Sequence, residues 1–485
     1  MIVGRKYTTW AELAHAVRRY KPTELLPVLA ISSYSLQENA YSSRRMHYNK
    51  WGIAALARES ILHGTEFRNQ KVTPSVIDKL LYDFGTASFA SEVTGKSFQL
   101  IVGAFLYEQA KFQLSASQEI ARTYLLFCDP NLPVEEEKAP TRNWNDVFGM
   151  TLEERLQSIH LIEALTHLKH GIIPFEELKV LEQHPEVQRA EIPNMMRTID
   201  DLTATIQKAR DAASEVPEIP SYLKRFSFNP LERFPIIDVG KPALLVPAPF
   251  YLLRSLSVGN LYYRACDVWG DKFSSELGYR VEAYVGMQLE HAGFDRLLPE
   301  INYGRKSPQL SVDWFAFSGD TVLLIECKSA KLSQHVLSGD PTKTEALLAK
   351  TIGKARKQIK NSSDLINDGH EKFSAIPVGM KQIGLIVTAE PVYCANDRAF
   401  HTHLADPGIP TFSMSLDDLE NLVSLGATGF VDVISKVLDG PSKEAWIVRD
   451  AIRKHFPEDG TQPNQLLVEA YERFTAAREQ DPDHL

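Results

Sequence analysis

The segment from Val312 to Lys328 constrains this chain more than any other. Two runs rich in aromatic and branched residues, Val312-Asp313-Trp314-Phe315-Ala316-Phe317 and Thr321-Val322-Leu323-Leu324-Ile325-Glu326-Cys327-Lys328, flank Ser318-Gly319-Asp320. Gly319-Asp320 suits the centre of a two-residue hairpin, because a type II′ turn needs glycine first. Counting outward, Ser318 pairs with Thr321 and Phe317 with Val322, which sets Asp313 opposite Glu326. Directly opposed side chains have Cβ atoms about 5 Å apart, and like charges there destabilise a sheet unless something compensates. A divalent cation is the obvious compensator. Lys328 points to the same side as Glu326, since side chains alternate along a strand. That side also carries Phe315, Phe317, Val322 and Leu324, whereas Val312, Trp314, Ala316, Leu323, Ile325 and Cys327 fall on the other. Both faces are apolar, so the hairpin belongs inside a domain covered on both sides. Three charges at its end are costly unless they are paired, metal-bound or functional.

Mixed α/β texture surrounds this hairpin. A helix is expected over Phe273 to His291, ending at Gly293, followed by strands at Ser311 to Phe317, Thr321 to Lys328 and Gln382 to Thr388. A basic helix, Lys343 to Asn361, separates the last two strands. A further strand, Thr411 to Met414, and a helix, Asp417 to Leu425, complete an α/β domain with a mixed sheet, expected over 251–440 with a helical extension over 441–485. Upstream, residues 1–215 read as a helical region, with Thr9 capping one helix, Thr73-Pro74 opening another, and an apolar stripe over Leu152 to Leu168. Between them, 216–250 carries seven prolines from Pro217 to Pro249, which predicts an extended linker along the surface. The stretch Asp129 to Asn145 reads as a connection between helical groups.

Glu-x-Lys alone is weak evidence, for it also occurs at Glu136-Glu137-Lys138 and Glu177-Leu178-Lys179. What distinguishes the third instance is the apolar strand leading into it and the aspartate in register. These residues resemble the PD-(D/E)xK nuclease superfamily, in which an aspartate on one strand and Glu-x-Lys on the next sit in a restriction-endonuclease-like core. Gly278-Tyr279-Arg280-Val281-Glu282, on a helix before the hairpin, fits the family's helical glutamate. Glu282 shares a stripe with Val285 and Leu289; Glu276 and Glu290 read as solvated, with Glu276 as the fallback. The resemblance covers roughly residues 250 to 430. It implies Mg²⁺ or Mn²⁺ held by Asp313, Glu326 and the Cys327 backbone carbonyl, with Glu282 on a metal-bound water or a second ion. It also implies that Lys328 positions or deprotonates the attacking water or stabilises developing charge, and that Gln358, one turn beyond Lys354, turns towards the site. The Cys327 thiol is expected to point to the opposite face. Asp313 lacks the preceding proline of many relatives.

Composition bounds this reading. With 485 residues, 44% of them apolar and 24% charged, the chain suits two or three globular domains. Runs such as Gln99 to Leu106 fall short of the roughly 20 apolar residues that span a bilayer, and Met1 to Tyr7 opens no secretory signal, so a cytoplasmic location without membrane partners is expected. Cys128, Cys266, Cys327 and Cys394 are scattered and expected to be reduced and buried. The net charge of −9 argues against a nucleic-acid partner. Locally the opposite holds: from Lys328 to Lys360 there are eight Lys and Arg against Asp340 and Glu345. Lys331, Lys350, Lys354 and Lys357 are the candidate backbone contacts. His401-Thr402-His403 lacks a paired carboxylate, His160, His167 and His170 read as packing or surface residues, and Tyr262-Tyr263 suits packing better than base stacking. No P-loop, dinucleotide fingerprint or nucleophile elbow is present.

The expectation is therefore a metal-dependent endonuclease acting on nucleic acid. The resemblance favours DNA and a role in restriction or antiviral defence, with the helical half serving recognition, a regulatory partner or homo-oligomer contacts. The alternative is a non-catalytic or partner-gated nucleic-acid-binding effector or scaffold with a nuclease-like fold.

Overall fold

The computed structural model describes residues 9–38, 49–87, 96–113, 115–180, 191–240, 242–304, 308–397, 404–440, 448–455 and 463–479. The chain is α/β, with a helical N-terminal region and two mixed sheets. The larger sheet has five strands in chain order: β5 (Arg296–Pro299), β6 (Trp314–Ser318), β7 (Thr321–Lys328), β8 (Lys381–Thr388) and β9 (Thr411–Ser415). β5 to β7 are antiparallel neighbours, while β7, β8 and β9 run parallel. The hairpin register matches the sequence count, with Ser318 on Thr321 and Phe317 on Val322. Gly319 alone in the turn takes a positive φ, 57°, as a type II′ turn demands.

Each face of this sheet feeds a separate apolar layer. Ala316, Leu323, Ile325, Leu385 and Phe412 pack with Val281, Val285 and Leu289 of the long helix Asp271–Ala292. Phe315, Phe317, Val322, Leu324 and Ile386 pack with Ala355, Ile359 and Ile366 of the helix Lys354–Asn367. Val312 joins this second layer, contrary to strict alternation. The cause is local: the ladder stops at Trp314–Ile325, and Asp313 sits in a bend before it.

The expected helix over 273–291 spans Asp271–Ala292 and is capped by Gly293 at φ 73°. Its contact with the sheet depends on Gly286, where a Cβ would overlap Cζ2 of Trp314. The expected basic helix is Pro341–Leu348, a five-residue π-turn over Ala349–Gly353, and Lys354–Asn367. Helix Leu152–Leu168 has the expected bounds, and Thr9 and Thr151 each close a capping box, with Glu12 and Glu154.

Two features depart from the sequence reading. Residues 216–250, expected as a surface linker, supply β3 (Ile236–Asp238) and β4 (Ala243–Leu245), which join β1 (Ile172–Pro174) and β2 (Thr203–Thr205) in a small sheet ordered β1-β4-β3-β2. Leu231, Phe234, Ile236 and Ile237 there are buried, because prolines that forbid a helix leave short extended segments free to pair. The largest apolar cluster also runs from Ile120 and Leu156 through the sheet to Ala470, so helices from both ends of the chain share its core. The connection 129–145 is packed as well, burying Leu132, Ala139 and Trp144. Of the cysteines, all free, only Cys394 is fully buried. No described helix is long and apolar enough to cross a membrane.

A candidate active site at the end of the hairpin

The end of the hairpin gathers the acidic residues. β5 pairs Pro299 with Trp314, and β6 pairs Trp314 with Ile325, so Glu300, Asp313 and Glu326 follow these residues side by side at one edge of the sheet. The expected Asp313–Glu326 pair is therefore adjacent to the ladder rather than a rung of it. Asp313 is buried, and its Oδ2 accepts a hydrogen bond of 2.6 Å from the Cys327 backbone N–H. Burial raises its carboxyl above the usual range, against the pull of that N–H and of Lys328.

Glu326 is 1% exposed, the most deeply buried carboxylate of the group. Burial, and then the charge of Asp313, push it up to about 8, with Lys328 acting in the opposite sense. Its Oε1 accepts from the Lys328 ammonium, whereas its buried Oε2 has no hydrogen-bond partner. Lys328 Nζ also donates to Gln358 Oε1 at 3.1 Å. Glu326, Lys328 and Gln358 thus form one chain of contacts between β7 and the helix Lys354–Asn367. The thiol of Cys327 packs with the opposite layer, as alternation requires.

Glu282 enters from the long helix. Its backbone carbonyl accepts a 3.0 Å hydrogen bond from Trp314 Nε1, which fixes this turn of the helix beside the residue that follows Asp313. Burial, followed by Asp313 and Glu300, pushes the Glu282 carboxyl up to about 7. Glu290 is exposed as expected. Glu276 is not solvated: it is buried and receives both Arg142 Nε, at 2.9 Å, and the Arg142 Nη2. A carboxylate paired in this way is committed to Arg142, which removes it as a fallback.

Two residues of this site escape the sequence reading. Glu300 is raised by burial and then by Asp313. Lys138 acts on both Glu282 and Glu300, lowering their proton affinity, although it belongs to the Glu-x-Lys set aside as a connection. Glu300 becomes findable once β5 is recognised, by extending the register one residue; Lys138 arrives through tertiary packing alone.

Four carboxylates, Asp313, Glu326, Glu282 and Glu300, therefore act on one another in the presence of two ammonium groups, Lys328 and Lys138. Hard oxygen donors, an excess of negative charge and the orphaned Glu326 Oε2 suit Mg²⁺ or Mn²⁺. No group of three His, Cys, Asp or Glu among the described residues is drawn together as a finished metal site. Two of the relevant oxygens are instead occupied, Asp313 Oδ2 by an amide and Glu326 Oε1 by Lys328.

The candidate backbone-contact lysines divide. Lys350, Lys354 and Lys357 are exposed on the π-turn and the helix that follows it. Lys331 is elsewhere: its ammonium lies 4.2 Å from the ring centre of Tyr262 and donates to Ser274 Oγ. Tyr262 is buried and Tyr263 half exposed, and His401 and His403 lie outside the described residues. The sequence matches no protein-family model, and neither a curated protein nor a solved structure shows significant similarity to it.

Proposed function

We propose that this chain is a metal-dependent nuclease of the PD-(D/E)xK kind, hydrolysing phosphodiester bonds in nucleic acid, with DNA as the favoured substrate and restriction or antiviral defence as its setting. The observation that carries the reading is the buried Glu326 Oε2 without a partner, on a carboxylate that feels Asp313 and whose other oxygen accepts from Lys328, itself bonded to Gln358. Asp313, Glu326 and the Cys327 carbonyl would hold the ion, with Glu282 and Glu300 on its water or on a second ion. When bound, Mg²⁺ or Mn²⁺ supplies charge neutralisation at the scissile phosphate and hydroxide near neutral pH. Lys328 presents an ammonium beside the carboxylates, where it stabilises charge that develops on the phosphate or orients the attacking water. Gln358 accepts a second hydrogen bond from that ammonium and so helps to orient it. The exposed Lys350, Lys354 and Lys357 offer positive charge to a phosphate backbone.

A second reading, a partner-gated effector, is favoured by one observation: the Lys328–Glu326 contact occupies an oxygen the ion needs. Titration calorimetry with Mn²⁺ separates the two. The leading reading expects saturable binding that Asp313→Ala and Glu326→Gln abolish; heat equal to that of these variants would favour gating and count against a competent resting site.

A further inference from the structure

A cavity of about 900 Å³ lies beyond the carboxyl ends of the parallel strands, where open α/β sheets bind ligands. Ala330 and Lys331 after β7, Glu390 after β8 and Asp417 after β9 form one wall. The opposite wall comes from the helical half, including Arg58, Tyr107 and Arg155. The volume falls within the roughly 300–1,000 Å³ of small-molecule sites and is far too small for a duplex.

Its charges are unevenly balanced. Arg122, Arg225 and Arg254 are each neutralised by glutamates. At the end near Phe148 the arrangement differs. Asp201 alone serves two guanidinium groups, Arg155 at 2.6 Å and Arg264 at 2.7 Å. Arg155 is 3% exposed, and its Nη1 has no hydrogen-bond partner. Asp267, at this end, is exposed and makes no ion pair among the described residues. The remaining walls include the rings of Tyr107 and Tyr393, 4.8 Å apart, and the half-exposed Tyr263. A buried guanidinium with an unused N–H, a second guanidinium that shares its single carboxylate and the half-exposed ring of Tyr263 together select an anion attached to a planar group.

We propose that this cavity binds a nucleoside phosphate, with the phosphate at Arg155 and Arg264 and the base against Tyr263. The inference does not rest on the nuclease reading, because none of these residues lies in the carboxylate cluster. The test is titration calorimetry on the full chain in EDTA, with AMP, ATP and inorganic phosphate as probes, alongside Arg264→Gln and Tyr263→Ala. These two positions are partly exposed, and an unchanged melting temperature of the unliganded variants verifies their folds. Saturable binding of AMP or ATP is expected, weakened at least about tenfold by each substitution, the equivalent of one charge-assisted hydrogen bond for Arg264→Gln and of one stacked base for Tyr263→Ala. Inorganic phosphate should bind more weakly than either nucleotide. Absence of binding by all three probes, or equal affinity in wild type and variants, would overturn the proposal. Phosphate binding as tightly as AMP would overturn the assignment of a base-binding wall. Because EDTA removes divalent metal, failure of the nuclease reading leaves this result unaffected.

Discussion

Glu326 has one carboxylate oxygen tied to an ammonium and the other buried without a partner, and this governs how the metal-free protein responds to pH. An unfolded chain releases the proton near the ordinary value of 4.5, whereas the folded chain holds it up to about 8. Between those values the folded form binds more protons, so stability is full below about 4.5 and is lost as pH rises through 8. Glu282, held up to about 7, adds to the same slope. Urea denaturation of the metal-free protein between about pH 5 and 9 should show this fall. Glu326→Gln should flatten it and stabilise the protein at the alkaline end by on the order of 2 kcal/mol. Parallel curves for the two proteins would refute the assignment. Mn²⁺ affinity should rise over the same interval, since protons compete for the carboxylates. Gln358→Ala removes only the far support of Lys328, so it should lower cleavage about tenfold with little change in melting temperature.

At the level of elements, the long helix holds Glu282 in place by lying close against Trp314. Gly286→Ala puts a methyl into the indole, which should cost about 1–3 kcal/mol and disturb the Trp314–Glu282 hydrogen bond. Denaturation with tryptophan fluorescence as the readout measures both. On the other layer, replacing Lys350, Lys354 and Lys357 together by glutamine should weaken nucleic-acid binding and reduce the slope of log affinity against log salt by about 2–3. An unchanged slope would locate the backbone contacts elsewhere. The elements themselves were legible where the pattern is local: the turn at Gly319-Asp320, the apolar runs of β6 to β9 and the capped long helix. β5 was missed because Arg296 and Pro299 interrupt its short, half-exposed run. The small sheet was missed because its strands are three residues each and lie among prolines. Asp313, Glu326 and Lys328 were readable from register, whereas Gln358 came only through the family resemblance. The pairing of Glu276 with Arg142 and the approach of Lys138 were not, because both partners are remote in sequence.

For the whole molecule, the helical half and the five-stranded sheet share buried charge as well as apolar core. Arg122, from the helix Ala116–Phe127, donates through Nη2 to Glu420 Oε2 at 2.6 Å, and the Tyr284 hydroxyl donates to Glu420 Oε1 at 2.6 Å. Arg122→Met would leave Glu420 buried and short of its cation, a loss of about 3–5 kcal/mol by denaturation. A fragment limited to 251–440 would expose both this carboxylate and the shared apolar layer, so it should aggregate or remain unfolded by circular dichroism. A cooperative, soluble fragment would show that the sheet stands alone. The net charge of −9 says little about partners, for it averages over an acidic cluster and a basic helix that lie near one another. The most direct measurement is cleavage of a supercoiled plasmid with Mg²⁺ or Mn²⁺ by the wild type, Asp313→Ala and Lys328→Ala. Metal-dependent cutting by the wild type, lost in both variants and in EDTA, is the predicted result; equal cutting by all three proteins would contradict the assignment of the site.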